Sequence, residues 1–266
     1  WRVPHFEKML YDNVQLMALY SRASELFKRD DFLQTAIDIG DYLIRDMRVF
    51  DSSKQFSGYA TAEDADDPVG EGAFYAWSPE EIRDVLPGSV ADSLISYWDL
   101  KSMQEERTEE PVPGWIPYPL GGNELSPERS LYRSVLQNER GKRPRPGRDS
   151  KVLTDLNALA LEGFTVLARV SGEKRFIEEI KNLSNFLINR FQREGIIRST
   201  GIIPYITDYA YMIQGLSAAY PLLEDPGLIK TAEKIADQAV ADLSTGLGSF
   251  YSSPENATNL PVRKVD

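Results

Sequence analysis

A threefold internal repeat limits what this chain can fold into more than any other feature. Three segments share one layout: Tyr11-Asp12-Asn13 leading into Val14 to Tyr20, Thr154-Asp155-Leu156-Asn157 into Ala158 to Phe164, and Thr207-Asp208-Tyr209 into Ala210 to Leu216. Each then meets a polar break, at Lys28 to Asp31, Ser171 to Lys174 and Glu224 to Gly227, before a second stretch of helical periodicity. Those second stretches are Phe32 to Met47, Phe176 to Phe191 and Leu228 to Leu243. In the middle one, Phe176, Ile180, Leu183 and Leu187 have the spacing that gives a helix a single apolar face. Each repeat therefore predicts a helix hairpin. A lone hairpin cannot bury its apolar stripe, so neighbours must stack into a solenoid or close into a ring. The first helices carry small and aromatic residues on more than one face, as in Ala210-Tyr211-Met212-Ile213-Gln214-Gly215-Leu216, which suits an inner helix packed on both sides.

A different region, about 51–150, separates the first hairpin from the second. Within it Glu71-Gly72-Ala73-Phe74-Tyr75-Ala76-Trp77 reads as a short strand, and Ser78-Pro79-Glu80-Glu81-Ile82 as a capped helix start with proline at the first helical position. Pro111 to Pro119 reads as an extended loop and the basic, proline-rich Gly141 to Ser150 as a linker. Periodic apolar sequence is too sparse here for a separate core, so residues 1–266 are expected to be one partial domain with an irregular, strand-containing insertion. The chain opens on Trp1 without a methionine and its last stretch, from Ser252, runs out in polar loop, so both ends read as cut.

The net charge of −11 argues against nucleic acid or an anionic membrane as partner and leaves a neutral ligand such as a sugar compatible. With no cysteine, the segment carries no disulfide, thiol nucleophile or thiolate metal site. No apolar run approaches the roughly 20 residues that span a bilayer, and the start lacks the charged-then-apolar pattern of a signal peptide, so a cytoplasmic location is expected.

The opening Trp1-Arg2-Val3-Pro4-His5-Phe6-Glu7-Lys8-Met9-Leu10-Tyr11-Asp12-Asn13 closely resembles the signature of the YyaL and spermatogenesis-associated thioredoxin-like family. Three further stretches agree in order: Asp64-Ala65-Asp66 with Glu71 to Trp77, then Lys151 to Asn157, then Asp208-Tyr209-Ala210. The resemblance implies an all-α fold, the six-hairpin glycosidase-like α/α toroid also found in N-acylglucosamine 2-epimerases. It also implies a thioredoxin-like domain upstream and further hairpins downstream in the full protein. The chain departs from the family where Leu156 replaces the usual tryptophan and Ala158-Leu159-Ala160 the usual Gly-Leu-Met. Epimerases of this fold use paired histidines, and the single His5 makes that mechanism unexpected here.

His5 and Asp12 are spaced to share one face of a helix beginning near His5, which lets a carboxylate orient a proton carrier. The alternative is a histidine that caps or packs at a helix end. Asp12, Asp155 and Asp208 occupy equivalent points of the repeats. Two carboxylates about 5 to 9.5 Å apart would serve glycoside hydrolysis, whereas isolated ones would cap helix N-termini. Asp64 and Asp66 lie in an acidic loop whose spacing does not match a calcium-binding loop, so a solvated loop with no metal is one expectation; because the family signature contains both, the resemblance also makes them candidate pocket carboxylates. Trp1, Tyr11, Tyr75, Trp77 and Tyr209 adjoin these acids as candidate sugar-stacking rings or as core. Glu7, Glu71 and Asn157 complete the candidate substrate-binding set, and Lys151 either binds an anionic group or pairs with Asp155. The expected function is a carbohydrate-active or sugar-binding domain, a hydrolase or an isomerase, with no cofactor. The alternative is a non-catalytic scaffold for the thioredoxin-like domain.

Overall fold

The computed structural model describes residues 4–98, 127–255 and 265. In chain order the described residues form β1 (Lys8–Met9), α1 (Leu10–Phe27), α2 (Asp30–Tyr42), a π-helical turn (Leu43–Met47), β2 (Arg48–Phe50), β3 (Phe56–Tyr59), β4 (Ala62–Glu63), α3 (Pro79–Val85), α4 (Gly88–Tyr97), α5 (Pro127–Arg140), β5 (Arg148–Asp149), α6 (Thr154–Ser171), α7 (Lys174–Glu194), α8 (Ile206–Leu223) and α9 (Pro226–Leu243). The two-residue strands order as β1-β4-β5, and β2 pairs antiparallel with β3. The chain divides into two compact units: the first comprises Trp1–Lys8 and Glu63–Arg148, the second Met9–Ala62 and Asp149–Asp266.

All three predicted hairpins are present in the second unit, as α1/α2, α6/α7 and α8/α9. Their first helices, α1, α6 and α8, have the same length of 18 residues. Each ends on a left-handed residue, Lys28, Gly172 or Glu224, which frees the chain to reverse at the same point of every repeat. Helix α6 packs against both α1 and α8, and 12 of its 18 residues are buried, as the small-residue composition of an inner helix predicts. The outer α7 is one-sided, with Phe176, Ile180, Leu183 and Leu187 turned to the core. The rings of Tyr59, Phe164 and Phe176 form the centre of that core, with Tyr59 and Phe164 stacked at 5.5 Å.

Close helix approach depends on glycine. A Cβ built on Gly163 would lie 2.9 Å from the Val14 carbonyl of α1, and one on Gly215 would lie 2.5 Å from the Ala158 carbonyl of α6. Backbone cannot yield as a flexible side chain does, so Gly215→Ala is expected to push α8 off α6 and cost about 1–3 kcal/mol. Chemical denaturation checks this; an unchanged midpoint would mean that the helices are not in this register.

In the first unit, Trp77, Ile82, Leu86, Ala91, Leu94, Ile95 and Leu136 form a small apolar cluster. Helix α3 starts as expected: the Ser78 hydroxyl accepts from the Glu81 N–H, the Glu81 carboxylate accepts from the Ser78 N–H, and Pro79 follows the cap. The expected strand over residues 71–77 is corrected. Residues 71–75 form turns, with only Trp77 in a single bridge, because Gly70 and Gly72 take positive φ and the Asp67 carboxylate gathers the N–H groups of Val69, Gly70 and Phe74. The extended loop expected over Pro111 to Pro119 lies outside the described residues.

Candidate functional site

The predicted site residues are distributed over both units, and each group is described within its own. In the second unit the fold brings Asp155 and Asp208 together. Asp208, in the first turn of α8, accepts the Tyr205 N–H at 2.7 Å and the Asp155 N–H at 3.0 Å. It thereby ties the N-terminus of α8 to that of α6. Asp155 accepts the Leu156 N–H at 2.8 Å, Arg198 at 2.8 Å and the Thr207 hydroxyl at 3.2 Å, while Arg198 also lies 3.5 Å from Asp208. Both aspartates are buried. Burial foremost, reinforced by the neighbouring Asp155 charge, raises the Asp208 carboxyl to about 6, against the pull of the Tyr205 and Asp155 amides and of Arg198. Every oxygen of this pair has a partner: Asp208 joins the starts of α6 and α8, and Asp155 pairs with Arg198 and the Thr207 hydroxyl.

Asp12 and Tyr11 are exposed in the first turn of α1. Asn157 is a buried clamp: its side chain accepts the Tyr59 N–H and donates to the carbonyls of Tyr59 and Leu153. Tyr209 is a core ring whose hydroxyl donates to Asp242 at 2.9 Å, and burial with that carboxylate pushes its phenol well up. Lys151 pairs with Asp149 at 3.0 Å, not with Asp155, the partner in one of its two expected roles.

His5, Glu7, Tyr75, Trp77, Glu71, Asp64 and Asp66 belong to the first unit. Helix α1 begins at Leu10, with β1 before it, so His5 does not share a helical face with Asp12; this corrects the spacing argument. His5 instead lies between two glutamates, Nε2 3.2 Å from Glu7 and Nδ1 3.9 Å from Glu71. It lines, with Tyr75 and Trp77, a cavity of about 420 Å³ whose wall also includes Phe6, Lys8, Trp98, Arg133 and Arg140. Phe6 stacks on Tyr75 at 5.8 Å, and Lys8 sits 3.7 Å over the same ring. Asp64 and Asp66 are exposed, and the only carboxylate of that acidic run buried deeply is Glu63, which accepts from Tyr75 and Arg145 and lies 3.8 Å from Lys8. Burial depresses the Lys8 ammonium to about 8; Glu63 opposes this, while Arg140 and Arg145 add to it. Trp1 lies outside the described residues.

The sequence reading missed Lys8, Glu63, Trp98, Arg133, Arg140 and Arg198. Lys8 and Glu63 stood inside quoted motifs, where a finer reading could have found them; the others had no local signal. Among the described residues, no group of three or more His, Cys, Asp or Glu is placed to hold a metal ion, and no helix is long and apolar enough to cross a membrane.

No family model matches the chain. Over its full length it is 28% identical to human spermatogenesis-associated protein 20 and 27% identical to the rat protein. The chain spans 40% and 39% of the length of those two relatives. Among solved structures, a sugar epimerase from a ruminal bacterium superposes with a TM-score of 0.53 at 10% identity, covering 96% of this chain and 50% of that one. The resemblance implied by the opening signature is thus borne out: along its whole length the chain is similar to spermatogenesis-associated protein 20, and its fold is all-α, of the six-hairpin glycosidase-like α/α toroid class.

Proposed function

We propose that this chain is a sugar-binding domain whose ligand occupies the first-unit cavity, with His5 as a proton carrier in an isomerase-type reaction. The observation that carries this reading is the cavity itself. The rings of Tyr75, Trp77 and Trp98 line it, the first two packed against Phe6, Lys8 and the apolar cluster, and His5 stands in the same wall with Glu7 and Glu71 beside it. A histidine flanked by carboxylates can take a proton from carbon next to a sugar carbonyl and return it. Lys8, an amine brought near neutrality in the same wall, is a second group able to hold a proton there. The solved epimerase of similar fold lends support. Hydrolysis finds less, because Asp155 and Asp208 are committed to helix ends.

The test is calorimetry with mannose, glucose, N-acetylglucosamine and cellobiose, followed by mass spectrometry of sugar incubated with the protein in deuterated water. Saturable binding and deuterium uptake are expected, the uptake falling about 100-fold or more in His5→Ala. Absence of both would sink the proposal.

A second reading, a non-catalytic scaffold for a thioredoxin-like domain in the longer protein, is favoured by the full occupancy of Asp155 and Asp208. On it, no sugar shifts the melting temperature, while deleting this segment from the longer protein alters the stability of that domain.

A further inference from the structure

A second cleft lies wholly within the second unit, between the β2–β3 turn and the exposed side of α7. Its volume is about 410 Å³, within the range of small-molecule sites. Asn182, Asn185 and Asn189 line it from α7 at helical spacings that put them on one face, and Gln192 extends the row. Gln55 and Ser57 face them from the turn and β3. Three of the nine asparagines in the chain therefore fall on one face of one helix, although asparagine is a poor helix former. None of these amide side chains, nor the Ser57 hydroxyl, makes a hydrogen bond among the described residues.

The floor is aromatic and anchored. Phe56 and Phe186 meet edge to face at 6.2 Å, and both pack partly buried against the core of the unit. Charge is nearly absent: the lining holds one residue of each sign, Asp51 and Arg193. The Asp51 carboxylate is spent on its own turn, accepting the N–H groups of Ser53 and Gln55.

We propose that this cleft binds a neutral oligosaccharide. An amide both donates and accepts, so a row of amides matches the vicinal hydroxyls of a sugar, each of which also does both. The two rings supply the apolar surface on which the C–H face of a pyranose rests. A phosphate or carboxylate ligand would find a single arginine. An extended peptide would find amides but no apolar pocket for its alternate side chains. The cleft is separate from the first-unit cavity, so binding here does not depend on chemistry there.

The test follows the side-chain amide resonances of the full isotopically labelled chain during titration with β-1,4-linked glucose, β-1,4-linked mannose and α-1,4-linked glucose tetrasaccharides. At least one tetrasaccharide is expected to shift the resonances that disappear in Asn185→Ala/Asn189→Ala. That double variant should bind about tenfold or more weakly, having lost two hydrogen-bonding amides. Alanine is the better helix former, so the variant should keep its melting temperature. His5→Ala should bind as the wild type does. The proposal is overturned if no tetrasaccharide shifts these resonances, or if a Gly-Ser decapeptide shifts them and the sugars do not. It is equally overturned if His5→Ala abolishes binding while the asparagine variant retains it, an outcome that would leave the first-unit site standing alone.

Discussion

Asp208→Ala is expected to lower the unfolding free energy by about 3–5 kcal/mol and the melting temperature by roughly 10 °C. Alanine leaves the Asp155 and Tyr205 amides without acceptors at two buried helix starts, and it leaves Arg198 with one carboxylate instead of two. Asp208→Asn keeps the volume but turns an N–H against one of those donors, so a smaller loss in the same direction is expected. The pH dependence has a definite sign. The folded carboxyl titrates at about 6 against an ordinary 3.8, so between those values the folded state binds more protons than the unfolded one. The stability this group adds is complete below the ordinary value and is lost as pH climbs through 6, with a slope of at most about 1.4 kcal/mol per pH unit. The alanine variant should therefore fall further below wild type at pH 4.5 than at pH 7. Urea midpoints at both pH values decide the matter: a gap that is constant, or wider at pH 7, would mean that Asp208 is not held in this buried cluster.

The hairpins were legible because helical periodicity is a local property, and the shared layout around Asp12, Asp155 and Asp208 marked where each first helix starts. What those aspartates do was not legible. A carboxylate two or three positions into a helix looks the same in sequence whether it caps a neighbour or faces a ligand, and the deciding partner, Arg198, sits in a loop with no pattern. The first-unit cavity draws on Pro4 to Lys8, Tyr75 to Trp77, Trp98 and the end of α5, segments that no short spacing connects. Glu71 to Trp77 misled because its apolar residues suit a strand, while the positive φ of Gly70 and Gly72 is invisible without coordinates. His5 misled for the opposite reason: seven positions mean two turns only if the helix has begun, and it begins at Leu10. The amide row on α7 was visible as three asparagines, but only the fold places the β2–β3 turn opposite them.

That same turn depends on a buried charge that the periodicity of α7 conceals. Glu179 lies among the apolar residues of the helix with no exposed surface, and it receives the Arg48 Nε at 3.1 Å, a second Arg48 nitrogen and the Tyr59 hydroxyl. Burial, and then the Glu179 charge, push the Tyr59 phenol well up, so it remains a donor at all ordinary pH. Arg48 begins β2 and Tyr59 ends β3, which makes this carboxylate the tie between the hairpin and α7. Glu179→Ala should cost about 3–5 kcal/mol, because a half-buried guanidinium and a fully buried phenol lose the acceptor they share. Arg48→Met should also be costly, since it strands the carboxylate. The double variant Arg48→Met/Glu179→Leu restores volume and removes both charges, and its loss is expected to be about 1–3 kcal/mol smaller than the sum of the single losses. A double-mutant cycle by chemical denaturation measures that difference, and strictly additive losses would refute the tie. The consequence reaches function through the hairpin, which carries Gln55, Phe56 and Ser57 into the amide-lined cleft. Glu179→Ala should therefore weaken tetrasaccharide binding there without touching any residue of the cleft wall, while the double variant, with its packing restored, should recover part of the affinity.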